Sequence, residues 1–207
     1  MYSIAVFFAR LWSYCYVTWG GYAAWSYTVR FFRERKYRDI KLNTFASLSL
    51  LQAFLGYGAK WRADSWKDGF DSVTSPQRAQ VMFSGQEKTE EDLDCDDHMI
   101  YSVNVVDKSL ALGLMKEDNI RNPKCLTIMW MKGWKGSGHN VMLLEHPQPD
   151  GSVLYSFFDY SPKPSDKKKT VHEVAELVRS IYAGGSYVGL SWTVSDKNLK
   201  PLEGHWG

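Results

Sequence analysis

At 207 residues the chain is long enough for one packed domain of ordinary size plus a short extension. Its 44% hydrophobic and 23% charged residues supply a core and exclude global disorder, and a net charge of +2 offers no electrostatic footprint for nucleic acid. Three cysteines, Cys15, Cys95 and Cys125, with no Cys-x-x-Cys pair, exclude a disulfide framework and a zinc ribbon and leave at least one free thiol.

In chain order, residues 1–40 come first, as an aromatic-rich arm or anchor. Within 1–24 the single charged residue is Arg10. A secretory signal places its basic stretch ahead of the apolar run, whereas here the charge interrupts the run, so no clear cleavable signal is read. Gly20-Gly21 and the many Tyr and Trp break the roughly 20 apolar residues that a transmembrane helix needs. Residues 30–38 (RFFRERKYR) follow as a basic patch. Arm and patch suit a helix packed on its own domain or on a partner subunit. The alternative is an interfacial anchor with its rings at headgroup depth. The location therefore stays open between the cytoplasm and a membrane surface. Cys15 lies in this stretch and reads as a buried, inert thiol.

Residues 41–207 read as the functional domain. Apolar residues at helical spacing predict a core helix over 44–55. Ser75-Pro76 is a cap followed by a first-turn proline, predicting a helix over 77–83 that Gly85 ends. Residues 86–94 form a polar, acidic loop. Met99, Ile100, Val103 and Val106 then mark one buried face of a helix over 96–106. Strands follow over 125–131, 139–145 and 153–159, separated by a glycine-rich turn at 133–138 and a Pro-Asp-Gly turn within 146–151. A polar loop over 161–169 includes the solvated run Lys167-Lys168-Lys169. A helix over 171–182 and a strand over 187–194 complete the pattern. Helices first, then an antiparallel sheet with one late helix, is an α+β arrangement.

The chemistry gathers on three residues. Cys95 opens a helix, where unpaired backbone N–H groups and a partial positive charge favour a thiolate and can serve an oxyanion. The flanking Asp94, Asp96 and Asp97 oppose it, since negative charge disfavours thiolate. His139 starts one strand and Asp159 ends the next. Antiparallel pairing sets those two positions side by side, the arrangement of a base oriented by a carboxylate. His98 is an alternate base or a bystander, Cys125 an inert core thiol, and His146, His172 and His205 have no evident partners. Gln77, Gln86 and Trp66 lie upstream, where a further oxyanion donor would be sought.

These residues carry a resemblance. Asp94-Cys95-Asp96-Asp97 resembles the Cys box of bacterial transglutaminase-like cysteine proteinases, within the papain-like superfamily. The helix from Ser75 to Val81 is similar to the element those proteins place before it. Gly138-His139-Asn140-Val141-Met142-Leu143 resembles their His strand, and 153–159 their strand ending in the triad aspartate. The likeness spans about 61–162. An acidic insertion over 86–93 and Asn140, in place of a small residue after the histidine, depart from the pattern. The resemblance implies a papain-like or transglutaminase-like fold, with a Cys95–His139–Asp159 triad and a helix-borne Cys packed on the sheet that carries His and Asp. It implies acyl transfer on a protein or peptide substrate, with peptide hydrolysis favoured over transglutamination, deamidation or acyl transfer to another acceptor. A structural or assembly protein keeping the fold is the competing expectation. No cofactor is required, but Asp94, Asp96 and Asp97 either cap the helix or hold calcium, as the acids of some such proteins do.

Overall fold

The computed structural model describes residues 11, 15, 21–58, 73–86, 93–115, 119–132, 135–161, 165–183 and 188–207. Among them are five α-helices and one five-stranded antiparallel sheet, an α+β fold. The helices are α1 (Gly21–Arg33), α2 (Leu48–Gly58), α3 (Pro76–Phe83), α4 (Cys95–Ala111) and α5 (Val171–Tyr182). The strands are β1 (Arg121–Lys132), β2 (Lys135–Pro147), β3 (Val153–Phe158), β4 (Val188–Ser195) and β5 (Pro201–His205), in the order β3-β2-β1-β4-β5.

Local chemistry sets the helix starts. Ser75 accepts from the Arg78 amide ahead of Pro76 at the first turn of α3. Asp94 accepts from the Asp96 amide at the start of α4. Thr170 and Glu173 close a reciprocal capping box on α5. Gly85, at φ +67°, takes the left-handed turn that follows α3. The core helix begins at Leu48, four residues later than expected, because Ser47 caps it through the Leu50 amide. Helix α4 runs on to Ala111.

The sheet differs more. Residues 135–138 were expected in a turn but belong to β2, where Lys135, Gly136, Ser137 and Gly138 pair with Lys132, Met131, Trp130 and Met129. Pairing overrides the poor strand propensity of glycine and serine. A side chain at 138 would come within 2.6 Å of the Ile128 carbonyl oxygen, so glycine there permits the close approach of β1 and β2. Strand β1 starts earlier than expected, across Asn122-Pro123, where one extra residue between Arg121 and Lys124 makes a bulge and Asn122 sits at φ +45°. Asp159 lies just past the end of β3, and β5 is an additional edge strand that opens on Pro201.

Both faces of the central strands are buried. Cys125, Met142, Leu144 and Phe158 share one core with Leu51, Leu55, Phe83 and the α4 residues Met99, Ile100, Val103 and Val106. Leu126, Ile128, Val141, Leu143 and Phe157 share the other with Val171, Val174, Ala175 and Val178 of α5. Alternation along β2 therefore sends even-numbered side chains from 140 to 144 toward α4, and odd-numbered ones toward α5.

Of the arm, residues 1–10, 12–14 and 16–20 lie outside the described residues. Helix α1 and the turn after it pack on the domain. Arg30 donates to the carbonyls of Val73 (2.9 Å) and Thr74 (3.1 Å), and the Ser26 hydroxyl accepts from the Val73 amide. Glu34, buried, accepts from the Ser75 amide at 2.7 Å and pairs with the buried Arg78 at 3.5 Å. Thus part of the basic patch is structural, while Trp25, Phe31 and Phe32 face outward. No helix among the described residues is long and apolar enough to cross a membrane. Replacing Glu34 with Ala removes from a buried site both the acceptor of the Ser75 amide and the ion pair to Arg78, and should cost about 3–5 kcal/mol in urea unfolding. Exposed Arg33→Ala should stay within about 0.5 kcal/mol. Equal, small effects would show that the arm is not part of the folded unit.

Candidate functional site

Cys95 is the first residue of α4 and is half-buried. It stands at the helix start, the position that the sequence pattern predicts, where the partial positive charge of the helix lies. The side chain that reaches it across the cleft is Asn140 of β2, whose Nδ2 donates to Sγ at 3.5 Å. Even-residue alternation on β2 aims Asn140 at α4. The Asn140 Oδ1 is buried and has no hydrogen-bond partner among the described residues.

His139, one residue back, is buried with its Nε2 3.0 Å from Asp159 Oδ2. Asp159 follows Phe158, which pairs with Met142. Extending that register by one residue sets Asp159 opposite Val141, a diagonal neighbour of His139 on the α5 side. The hairpin argument from the sequence thus holds for this pair. Asp159 is fully engaged: Oδ1 accepts from the Tyr160 amide at 2.7 Å, and Oδ2 also accepts from the Tyr182 hydroxyl. The Gln52 side chain of α2 donates to the backbone carbonyls of Asp159 and Tyr160.

Tyr182, the last residue of α5, was missed by sequence reasoning. Its ring lies 3.9 Å from the His139 ring, centroid to centroid, tilted by 31°. It covers the imidazole while its hydroxyl holds the carboxylate. Burial, then the bond to Asp159, pushes its pKa up. Tyr160 packs its ring 6.0 Å from His139 and 4.7 Å from His98. Its pKa is pushed up to about 12 by burial, then by the charges of Asp159, Cys95 and Asp94. A Cys95 charge acts on both Tyr160 and Tyr182, so thiol and imidazole share one electrostatic neighbourhood. The structure joins His139 to Asp159 and Cys95 to Asn140.

The three aspartates converge too. Asp94, Asp96 and Asp97 are buried and each offers an oxygen within 4.8 Å of the others. Oxygen donors suit a hard cation, and these would supply three of the six to eight ligands that calcium takes. Two carboxylates already hold backbone amides: Asp94 Oδ1 that of Asp96 at 3.0 Å and Asp97 Oδ1 that of Thr74 at 2.6 Å. The Asp94 bond caps α4, and the Asp97 bond joins the start of α4 to the chain ahead of α3.

The other candidates separate clearly. Cys125 is buried in β1, and burial pushes its thiol pKa far up, as an inert core thiol requires. His146 Nε2 bonds Ser156 Oγ at 2.7 Å, and His172 Nδ1 accepts from Trp192 Nε1 at 3.2 Å beside the His205 ring. None of these bonds reaches Cys95. Gln86 is exposed and Trp66 lies outside the described residues. Gln77 lines a groove of about 450 Å³ between α1, the start of α3 and the Lys197-Asn198 turn, which contains none of Cys95, His139 or Asp159. Comparison with protein-family models, with curated proteins and with solved structures found no match.

His98 is buried between the rings of Phe83 (4.6 Å) and Tyr160 (4.7 Å), and neither ring nitrogen has a hydrogen-bond partner among the described residues. Burial lowers its pKa to about 4, against the opposing pull of Asp159 and Asp94. The unfolded ring titrates near 6.5. Between these values the unfolded chain binds more protons, so stability is whole above pH 6.5 and falls as pH drops toward 4. The loss should reach about 3 kcal/mol. Urea unfolding across pH 4.5–7.5 measures it, and His98→Phe, which keeps the stack, should flatten that part of the profile. A variant with the wild-type profile would remove His98 as the titrating group.

Proposed function

We propose that the protein is a cysteine-dependent acyl-transfer enzyme, most plainly a peptidase, working through Cys95, His139 and Asp159 on a papain-like, transglutaminase-like fold. The observation that carries this reading is the buried His139–Asp159 bond of 3.0 Å, one residue from the Asn140 side chain that meets Cys95 at the start of α4. A carboxylate on Nε2 leaves Nδ1 as the nitrogen that exchanges a proton with sulfur. The likeness of 94–97, 138–143 and 153–159 to the motifs of that group supports the same assignment.

The steps follow. His139 Nδ1 takes the thiol proton, and the sulfur pair forms a C–S bond to a substrate carbonyl carbon while the C=O pair moves onto oxygen. The oxyanion collapses, the C–N bond breaks, and the imidazolium proton goes to the departing amine. Water then adds to the thioester with its proton passing to His139. The C–S bond breaks and the sulfur is restored. An amine in place of water would give transglutamination. Asp159 holds the ring in register throughout, and Tyr182 covers one face of it.

A second reading, a structural protein retaining the fold, draws on the hydrogen bond that ties Cys95 to Asn140. Apo sites often tighten only with substrate bound. Iodoacetamide alkylation followed by mass spectrometry across pH 5–10 separates the two. The enzyme reading expects Cys95 to react with an apparent pKa well below the ~8.5 of a free thiol, and His139→Gln to return it to about that value. Casein or peptide-library hydrolysis should fall at least about 10³-fold in Cys95→Ala and about 10²- to 10⁴-fold in Asp159→Asn. A Cys95 as sluggish as a free thiol in a folded, inactive protein would favour the structural reading.

A further inference from the structure

We infer that Asn140 is a catalytic residue of the proposed site: its side-chain amide donates to the Cys95 sulfur at rest and to the substrate oxyanion after attack. This rests on the acyl-transfer reading above and assigns the second oxyanion donor, which the sequence left open among Gln77, Gln86 and Trp66.

Three observations bear on it. First, Asn140 Nδ2 lies 3.5 Å from Sγ, so an N–H points at the atom that carries charge before attack. The attacked carbonyl oxygen is bonded to the carbon that sulfur joins. A donor at hydrogen-bond distance from sulfur is therefore within a small side-chain rotation of that oxygen. Second, the placement is dictated by the sheet. Met142 and Leu144 pack in the α4 core, and Asn140 shares their face at the end nearest the start of α4. Third, Asn140 Oδ1 is buried with no partner among the described residues. Such an acceptor costs free energy, and its lack of a tether leaves the amide free to re-aim Nδ2 as charge moves from sulfur to oxygen. A purely structural asparagine in the same place would be expected to have its acceptor satisfied.

The chemistry balances without a further reactant. Before attack, Asn140 stabilises the sulfur pair against the carboxylates of Asp94, Asp96 and Asp97. When the C–S bond forms, the C=O pair becomes the oxyanion, which then takes the Nδ2–H. The first collapse re-forms C=O and breaks C–N, leaving the thioester; the second, after water adds, breaks C–S, and the Nδ2–H returns to the restored sulfur pair. Asn140 gives up no proton at any step.

The test uses the full chain and three variants whose folding is checked by circular dichroism. Asn140→Ala should raise the apparent pKa for iodoacetamide alkylation of Cys95 by about one unit. It should also lower kcat on a peptide substrate by about 10²- to 10³-fold with KM little changed. Asn140→Asp has the same shape but only acceptors and an added charge, so it should be worse than Ala in both readouts. Asn140→Ser, with a shorter donor, should recover part of the loss. An active wild type whose Asn140→Ala variant keeps the same alkylation profile and kcat overturns the assignment and leaves the peptidase reading standing. A wild type that turns over no peptide, but whose alkylation profile still moves in Asn140→Ala, overturns the reading and the oxyanion role and retains only the donor to sulfur. Asn140→Asp matching or exceeding Asn140→Ala would overturn the donor role itself.

Discussion

Burial of both faces of β1 and β2 is the constraint on which the rest of the structure depends. With α4 on one side and α5 on the other, each residue of these strands has one permitted direction, and a slip of a single residue would exchange the two cores. The close approach at Gly138 and the bulge at Asn122-Pro123 pin the register from both ends. Everything at the candidate site inherits its direction from that register. Asn140 is turned to Cys95 because Met142 and Leu144 are turned to α4. His139 is turned to Tyr182 because Val141 and Leu143 are turned to α5.

The site is therefore divided between two layers that meet at the end of the β2–β3 hairpin. On the α5 side, Asp159 gathers His139, Tyr182 and the Tyr160 amide, with Gln52 of α2 holding the backbone from outside. On the α4 side, the aspartates fix the first turn of the helix and tie it to Thr74. Tyr160 bridges the layers, its ring lying near both His98 and His139. Such a division gives each group its own rigid support.

Much of this was legible in the residues. The cap at Ser75 and the Pro-Asp-Gly turn are local chemistry, and local chemistry can be read one residue at a time. The His139–Asp159 neighbourhood followed from hairpin geometry, which needs only the two strands and their turn. What escaped the sequence was tertiary. Glycine and serine at 135–138 read as a turn because propensity is a local quantity, while their strand pairing is made by β1. Arg30 and Glu34 were read only as members of a basic patch, because no pattern shows that backbone groups at 73–75 are waiting for them. Tyr182 sits in an ordinary amphipathic helix, and its contact with the imidazole exists only once α5 has docked. Asn140 was visible as an oddity after the histidine, but its direction came from the buried partners of 142 and 144.

The acids around Cys95 set the electrostatic problem of the site, and the structure shows which groups answer it. Asp94 and Asp97 each hold a backbone amide, so part of their charge is spent on N–H groups before it acts on sulfur. His98 cannot help: burial holds it neutral near the pH of any cell, and it has no hydrogen bond to lend. Tyr160 and Tyr182 also stay neutral, since burial and the neighbouring negative charges push both phenols up. That leaves the amides at the start of α4, the Asn140 side chain and the imidazole as the groups that oppose the carboxylates. Two of the three are neutral donors aimed by rigid elements, and such donors require no reorganisation when charge develops. On the proposed acyl-transfer reading, these donors, with the imidazole one residue before Asn140, are what would offset the acids beside Cys95.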